Sequence, residues 1–187
     1  MSGLSETSVM LVKSWGAVAQ VLAAEKRLGS ELEAFLRKLF EDLRLKLDDD
    51  WDLRTLDDAH QMYLARRRWR APTEYAVWVG VERFGPEQLF GKDDFASIYL
   101  WVQIGGNLVS VLAEAVRCAH PEITDVPSKR SRYAAERKVP KLAAAEALDQ
   151  YLPSLHDYIS EWLTRFARVA MSHEEAILRA VAGAGGR

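Results

Sequence analysis

The residues with chemical potential in this chain are carboxylates, guanidiniums and aromatic rings. Asp48, Asp49 and Asp50 stand together, and Glu74 and Glu82 fall on a strand-like stretch. Such groups can hold Mg²⁺ beside a scissile phosphate. A metal-dependent phosphodiesterase site of that kind also wants a lysine two residues beyond the strand acid. Here Glu82 is followed by Arg83 and Phe84, and the next strand offers only Gln103. The acidic run therefore reads as a solvated turn. His60, His120, His156 and His173 are scattered, with neither H-x-x-x-H nor H-E-x-x-H spacing, so a zinc site would have to be gathered from distant segments. Nucleotide and acyl-transfer signatures (G-x-G-x-x-G, a P-loop, G-x-S-x-G) are missing. No catalytic residue, metal or cofactor is expected, and a hydrolase using the acidic groups is the least favoured reading.

Basic and aromatic clusters are more suggestive. Arg66, Arg67, Arg68 and Arg70 surround Trp69, and Lys129, Arg130, Arg132, Arg137, Lys138 and Lys141 surround Tyr133. Arginine interleaved with aromatics suits phosphate contact plus base stacking. That makes Arg66, Arg68, Arg70, Arg130, Arg132 and Lys138 candidates for binding nucleic acid. Against this, 27 acidic residues outnumber 25 basic ones and the net charge is −2, so internal pairing with carboxylates such as Asp57, Asp58 or Glu82 is the simpler account. Trp78, Phe84, Phe90, Phe95, Tyr99 and Trp101 crowd a single region. Packing between sheet and helices explains most of them. Leu89 and Phe90 sit in a connecting loop, where an apolar pair must fold back or dock on a partner. Leu89, Phe90, Trp78 and Trp101 are thus the protein-binding candidates.

The elements that position these groups centre on residues 74–104. EYAVWVGVERF and FASIYLWVQI flank a loop carrying Gly85, Pro86, Gly91, Asp93 and Asp94, the composition of an antiparallel hairpin. Val77, Val79 and Val81 point one way and Trp78 and Gly80 the other; Ile98, Leu100 and Val102 oppose Phe95, Tyr99 and Trp101. Residues 59–70 read as a strand in preference to a helix, ended by Pro72. A further short strand at Trp51–Arg54 would raise the sheet from three strands to four.

Before the sheet, Leu11, Trp15, Val18 and Leu22 recur at helical spacing, as do Leu32, Phe35, Leu36, Leu39, Phe40, Leu43 and Leu47. Gly29 separates the two runs. Ser30 with Glu33 has the form of a capping box that would open a second helix, and one long helix is the alternative. The first run is interrupted by Lys13 and Gln20 and is too short to span a membrane, so it reads as an amphipathic core helix. After the sheet, Leu108–Ala119 is apolar nearly all round and should be buried. Residues 121–140 read as a long exposed loop. A helix is expected from Pro140 to Leu152, restarted or kinked at Pro153, with Leu155, Tyr158, Ile159, Trp162, Leu163, Phe166 and Val169 as its buried stripe. Ser172 and Glu175 suggest another capping box opening a last helix through Ala182.

These features predict a single α+β domain over 1–183, with a disordered tail at 184–187. It comprises helices over 8–47, a small antiparallel sheet over 51–104 and helices over 107–182 covering the sheet. The lone Cys118 permits no internal disulfide, which fits a reducing cytoplasm. The functional expectation is a non-enzymatic protein-interaction or regulatory module, self-association included, with no membrane partner. Nucleic-acid binding is the principal alternative.

Overall fold

A computed structural model of the chain describes residues 5–55, 61–91, 94–104, 106–123, 132–142 and 148–185. Five strands form one antiparallel meander in sequence order: β1 (Trp51–Thr55), β2 (Met62–Arg66), β3 (Val77–Glu82), β4 (Ser97–Val102) and β5 (Tyr133–Lys138). The helices are α1 (Glu6–Lys13), α2 (Trp15–Lys46), the short α3 (Pro86–Phe90), α4 (Gly106–Ala119), α5 (Leu148–Ser172) and α6 (Glu174–Ala184). This is the α+β architecture expected, with five strands where three or four were anticipated.

The central hairpin follows from its period-2 pattern. Val79 pairs with Leu100, Trp78 with Trp101 and Gly80 with Tyr99. Val77, Val79, Val81, Ile98, Leu100 and Val102 are all fully buried and share one hydrophobic cluster with Leu32–Leu43 of α2, Leu108–Val116 of α4 and Leu155–Ala170 of α5. On the other face Tyr63, Trp78, Trp101 and Tyr133 lie outside that cluster and are half-buried. Gly80 is required where Tyr99 crosses the sheet. A Cβ at position 80 would stand 2.7 Å from the Tyr99 hydroxyl and 2.7 Å from the Met62 carbonyl, closer than real Cβ atoms come.

Several expectations are corrected. β5 lies inside the stretch read as an exposed loop, because Glu136, Arg137 and Lys138 mask its alternation; such charges are usual on an edge strand. α2 runs straight through Gly29, and Ser30 donates back to the Lys26 carbonyl (3.2 Å), so no capping box opens there. Ser172 likewise donates to Val169 while His173 takes the cap position of α6. Pro153 lies inside α5, and Ala184, placed in the tail, closes α6. Pro140, foreseen as the first residue of a helix, is not helical, nor are Lys141 and Leu142; residues 143–147 lie outside the described residues, and α5 is described from Leu148.

Trp162 sits mid-stripe on α5 at 4% exposure. The guanidinium carbons of Arg137 and Arg165 lie 4.9 and 4.7 Å from its ring centroid, and His120 and Phe166 pack against it. Trp162→Ala should cost about 3–5 kcal/mol, or roughly 6–20 °C of Tm for a chain of this size. A Tm within two or so degrees of wild type in a calorimetric scan would contradict this packing.

Candidate functional site

The acidic run and the first arginine cluster meet each other. The Arg66 side chain, at the end of β2, is almost wholly buried, and each nitrogen donates to a different carboxylate. Nη2 reaches Asp48 (2.7 Å), Nε reaches Asp50 (3.0 Å) and Nη1 reaches Glu174 (2.9 Å). Arg68 adds bonds to Asp50 (2.6 Å) and Glu174 (3.4 Å), and the Trp69 indole donates to Glu174 (3.0 Å). Trp51 and Trp69 wall the guanidinium, their ring centroids 5.9 and 5.8 Å from its carbon. A fork of donors matched to three carboxylates compensates the cost of burying a cation. Arg66 is therefore a structural clamp whose charge is met inside the protein, while the half-exposed Arg68 pairs with two of the same acids from the surface. The acids that Arg66 meets, Asp48, Asp50 and Glu174, are not among those put forward from the sequence for this pairing. Glu174 stands 108 residues from Arg66, a separation that no spacing rule reads, and Asp57 and Asp58 lie outside the described residues.

The remaining basic candidates disperse. Arg70 is exposed over the Tyr75 ring at 6.0 Å. Arg132 is exposed, and the Lys138 ammonium lies 4.1 Å from the Phe95 centroid. Arg137 donates to the Tyr158 hydroxyl (2.8 Å). Arg130 lies outside the described residues. Among the described residues no group of three or more His, Cys, Asp or Glu side chains is arranged to hold a metal ion.

Of the protein-binding candidates, Leu89 is corrected: it is fully buried, folded back into the core by α3. Phe90 remains 36% exposed, beside Tyr151. Trp78 and Trp101 do share a surface. They stack at 5.7 Å in a ladder that continues to Tyr63 on one side and Tyr133 on the other. The Trp78 Nε1–H is buried and makes no hydrogen bond of good geometry, although it lies close enough to Tyr99 to temper that phenol, which burial pushes far up. Beyond the ladder, Tyr133 donates to Glu82 (2.9 Å), Gln61 donates to it as well (3.0 Å), and Ser97 donates to Glu136 (2.6 Å). Burial raises the Glu82 carboxyl above its ordinary range. The Tyr133 and Gln61 hydrogen bonds offset part of this, and the charge of Glu136 adds to it.

The feature that periodicity could not deliver is the N-terminal arm. Its helical spacing was legible, but its burial was not: the first fully buried residue of α2 is Leu32. Met10, Trp15, Val21 and Leu22 are 70%, 57%, 67% and 53% exposed, and none of residues 15–27 belongs to the core or its partly buried shell. Space around Gly16 is open to at least 4 Å. Hydrogen bonds from Ser14 to Met10 and from Val18 to Ser14, both 3.0 Å, carry α1 into α2 with little interruption. The expected core helix is thus a projecting one.

Glu82 supplies a pH test. Its folded pKa lies above the unfolded one, so the folded state binds the extra proton between the two values, and stability falls as pH rises through that window. Glu82→Gln removes the titrating charge. Its Tm should exceed that of wild type at neutral pH, and the gap should close below the ordinary carboxylate range. A gap independent of pH, or a less stable variant at neutral pH, would contradict the raised carboxyl.

No known protein family, curated protein or solved structure matches the chain.

Proposed function

We propose that the protein is a non-enzymatic protein-interaction module that self-associates through its N-terminal helical arm. The observation that carries this reading is the exposure of Trp15, Val21 and Leu22 on a helix that leaves the domain. Residues 14–24 carry no charged side chain, so the arm presents an apolar surface to water with nothing to repel a partner. A lone helix of this length is marginal in water, and burial of an apolar face is the usual remedy.

A second copy is the occupant that fits. Large Trp15 and Leu22 alternate with small Gly16, Ala19 and Ala23 on one short segment, so the surface carries both knobs and holes. An interface related by a two-fold axis needs that self-complementarity. The stripe Trp15, Val18, Leu22 continues through Leu32, Leu36, Leu39 and Leu43, whose half is already docked on the sheet. Two arms would therefore lie side by side with each domain undisturbed. The absence of catalysis is supported by the engagement of Asp48, Asp50 and Glu174 with Arg66 and Arg68, which leaves those carboxylates little freedom for a metal or a proton.

Sedimentation velocity tests the proposal. Wild type should associate at micromolar concentration, and Trp15→Glu with Leu22→Glu should be monomeric, with the Tm of wild type at dilutions where wild type is also monomeric, since neither side chain belongs to the core. A wild-type monomer persisting up to roughly 100 µM, where an interface of ordinary size is saturated, would overturn it.

A further inference from the structure

Away from the arm, the tight turn 71–74 brings two guanidiniums and two aromatic walls around one cleft. The Ala71 amide donates to the Glu74 carbonyl (2.8 Å), and Arg70 and Tyr75 pair as an isolated antiparallel bridge, which sets their side chains next to each other. The cleft has a volume of about 420 Å³ and is lined by Arg54, Arg70, Tyr75, Tyr63, Trp78 and Gln103, with Thr73 and Glu74 at the turn. We propose that this cleft binds a small aromatic carboxylate, a planar ring bearing one negative charge.

The size suits such a ligand, since small-molecule sites begin near 300 Å³. The electrostatics choose its charge. Arg54 and Arg70 each lie 6.0 Å from the Tyr75 ring centroid. Arg70 is exposed and has no carboxylate within salt-bridge distance among the described residues, so its fork of donors is available. Asp52, the acid nearest Arg54, also accepts from the Tyr75 hydroxyl (2.7 Å) and Arg67 (3.0 Å). Glu74 accepts from Gln103 (2.5 Å), whose carbonyl accepts in turn from the Trp101 indole (2.9 Å). Arg54, Arg67 and Arg70 against Asp52 and Glu74 leave one positive charge in excess. That excess matches a monoanion, and the planar guanidinium matches a carboxylate. Tyr63 and Trp78 supply the wall for the ring, held in place by their own contact (5.1 Å) and by Trp101. The network of Asp52, Tyr75, Gln103 and Glu74 fixes the walls before any ligand arrives, which lowers the ordering cost of binding.

Titration calorimetry on the intact chain, with indole-3-acetate as probe, tests this. Indole-3-acetamide keeps the ring without the charge, and acetate keeps the charge without the ring. Each should bind at least about tenfold more weakly than indole-3-acetate, the worth of one charge-assisted contact or of the ring's burial. Arg70→Gln should weaken indole-3-acetate by a similar factor without changing Tm, because the side chain is exposed and unpaired among the described residues, and Arg54→Gln, which also loses its bond to Asp52, should weaken it by a similar factor. Equal binding of the acetamide, indifference to both substitutions, no heat at millimolar indole-3-acetate, or tighter binding of phenyl phosphate would each overturn the proposal.

Discussion

The structure depends on the stiffness of one helix. Leu32, Leu36, Leu39, Phe40 and Leu43 bury themselves under the sheet, and this fixes the direction of α2. At about 1.5 Å per residue its 32 residues span roughly 48 Å, more than the sheet can cover. No proline interrupts it, and Gly29, the one residue positioned to bend it, stays helical. Residues 15–27 are therefore carried outward by a rod anchored at its other end. Burial of the C-terminal half supplies the free energy, rigidity transmits the direction, and the apolar N-terminal half arrives in solvent as the consequence. The interaction reading rests on that chain of cause.

A second constraint is the buried guanidinium of Arg66. Loop 48–50, the 3₁₀ turn Arg67–Trp69 and the start of α6 converge on one cation. An apolar side chain there could contribute as much stability. What the guanidinium adds is direction: three carboxylates from two distant segments satisfy it in one geometry. The same turn then leads through Arg70 into the cleft at Tyr75, so the clamp that docks α6 also holds the lining of the sheet's aromatic face. The arginine cluster is in this way divided by topology. Arg66 is buried against three acids, Arg68 pairs with two of them from the surface, and Arg70 is exposed.

Much of the fold was legible in the sequence, for identifiable reasons. The hairpin announced itself because Val77, Val79 and Val81 alternate with Trp78 and Gly80, and a strand's two faces allow no other reading. β1 lies where a short strand was expected, but the strand read over residues 59–70 ends at Arg66, and Arg67–Trp69 turn as a 3₁₀ helix. β5 was illegible because Glu136, Arg137 and Lys138 are charged and its buried residues, Ala134 and Ala135, carry almost no strand signal. The capping-box motif at Ser30 misled, since a box has meaning only where a helix begins and α2 runs on through it; beside Ser172 a helix does open, at Glu174, with the cap position one residue later at His173. The arm's stripe was legible as spacing and silent as to its partner, because periodicity reports which side of a helix is apolar and not what covers it. Leu89 was read as either folding back or docking, and its burial settles the first. The partners of Arg66 and the cleft at Tyr75 are long-range products of the meander and have no local signature.

The central claim is that one continuous helix is divided into a half held by its own domain and a half that awaits a second copy. Amide hydrogen exchange along α2, followed over a dilution series, tests this most directly. Amides around residues 32–43 should be protected at every concentration, while those of residues 15–27 should be protected when the protein is concentrated and exchange rapidly when it is dilute. Arm amides protected equally at the lowest concentration, or unprotected at the highest, would contradict the account.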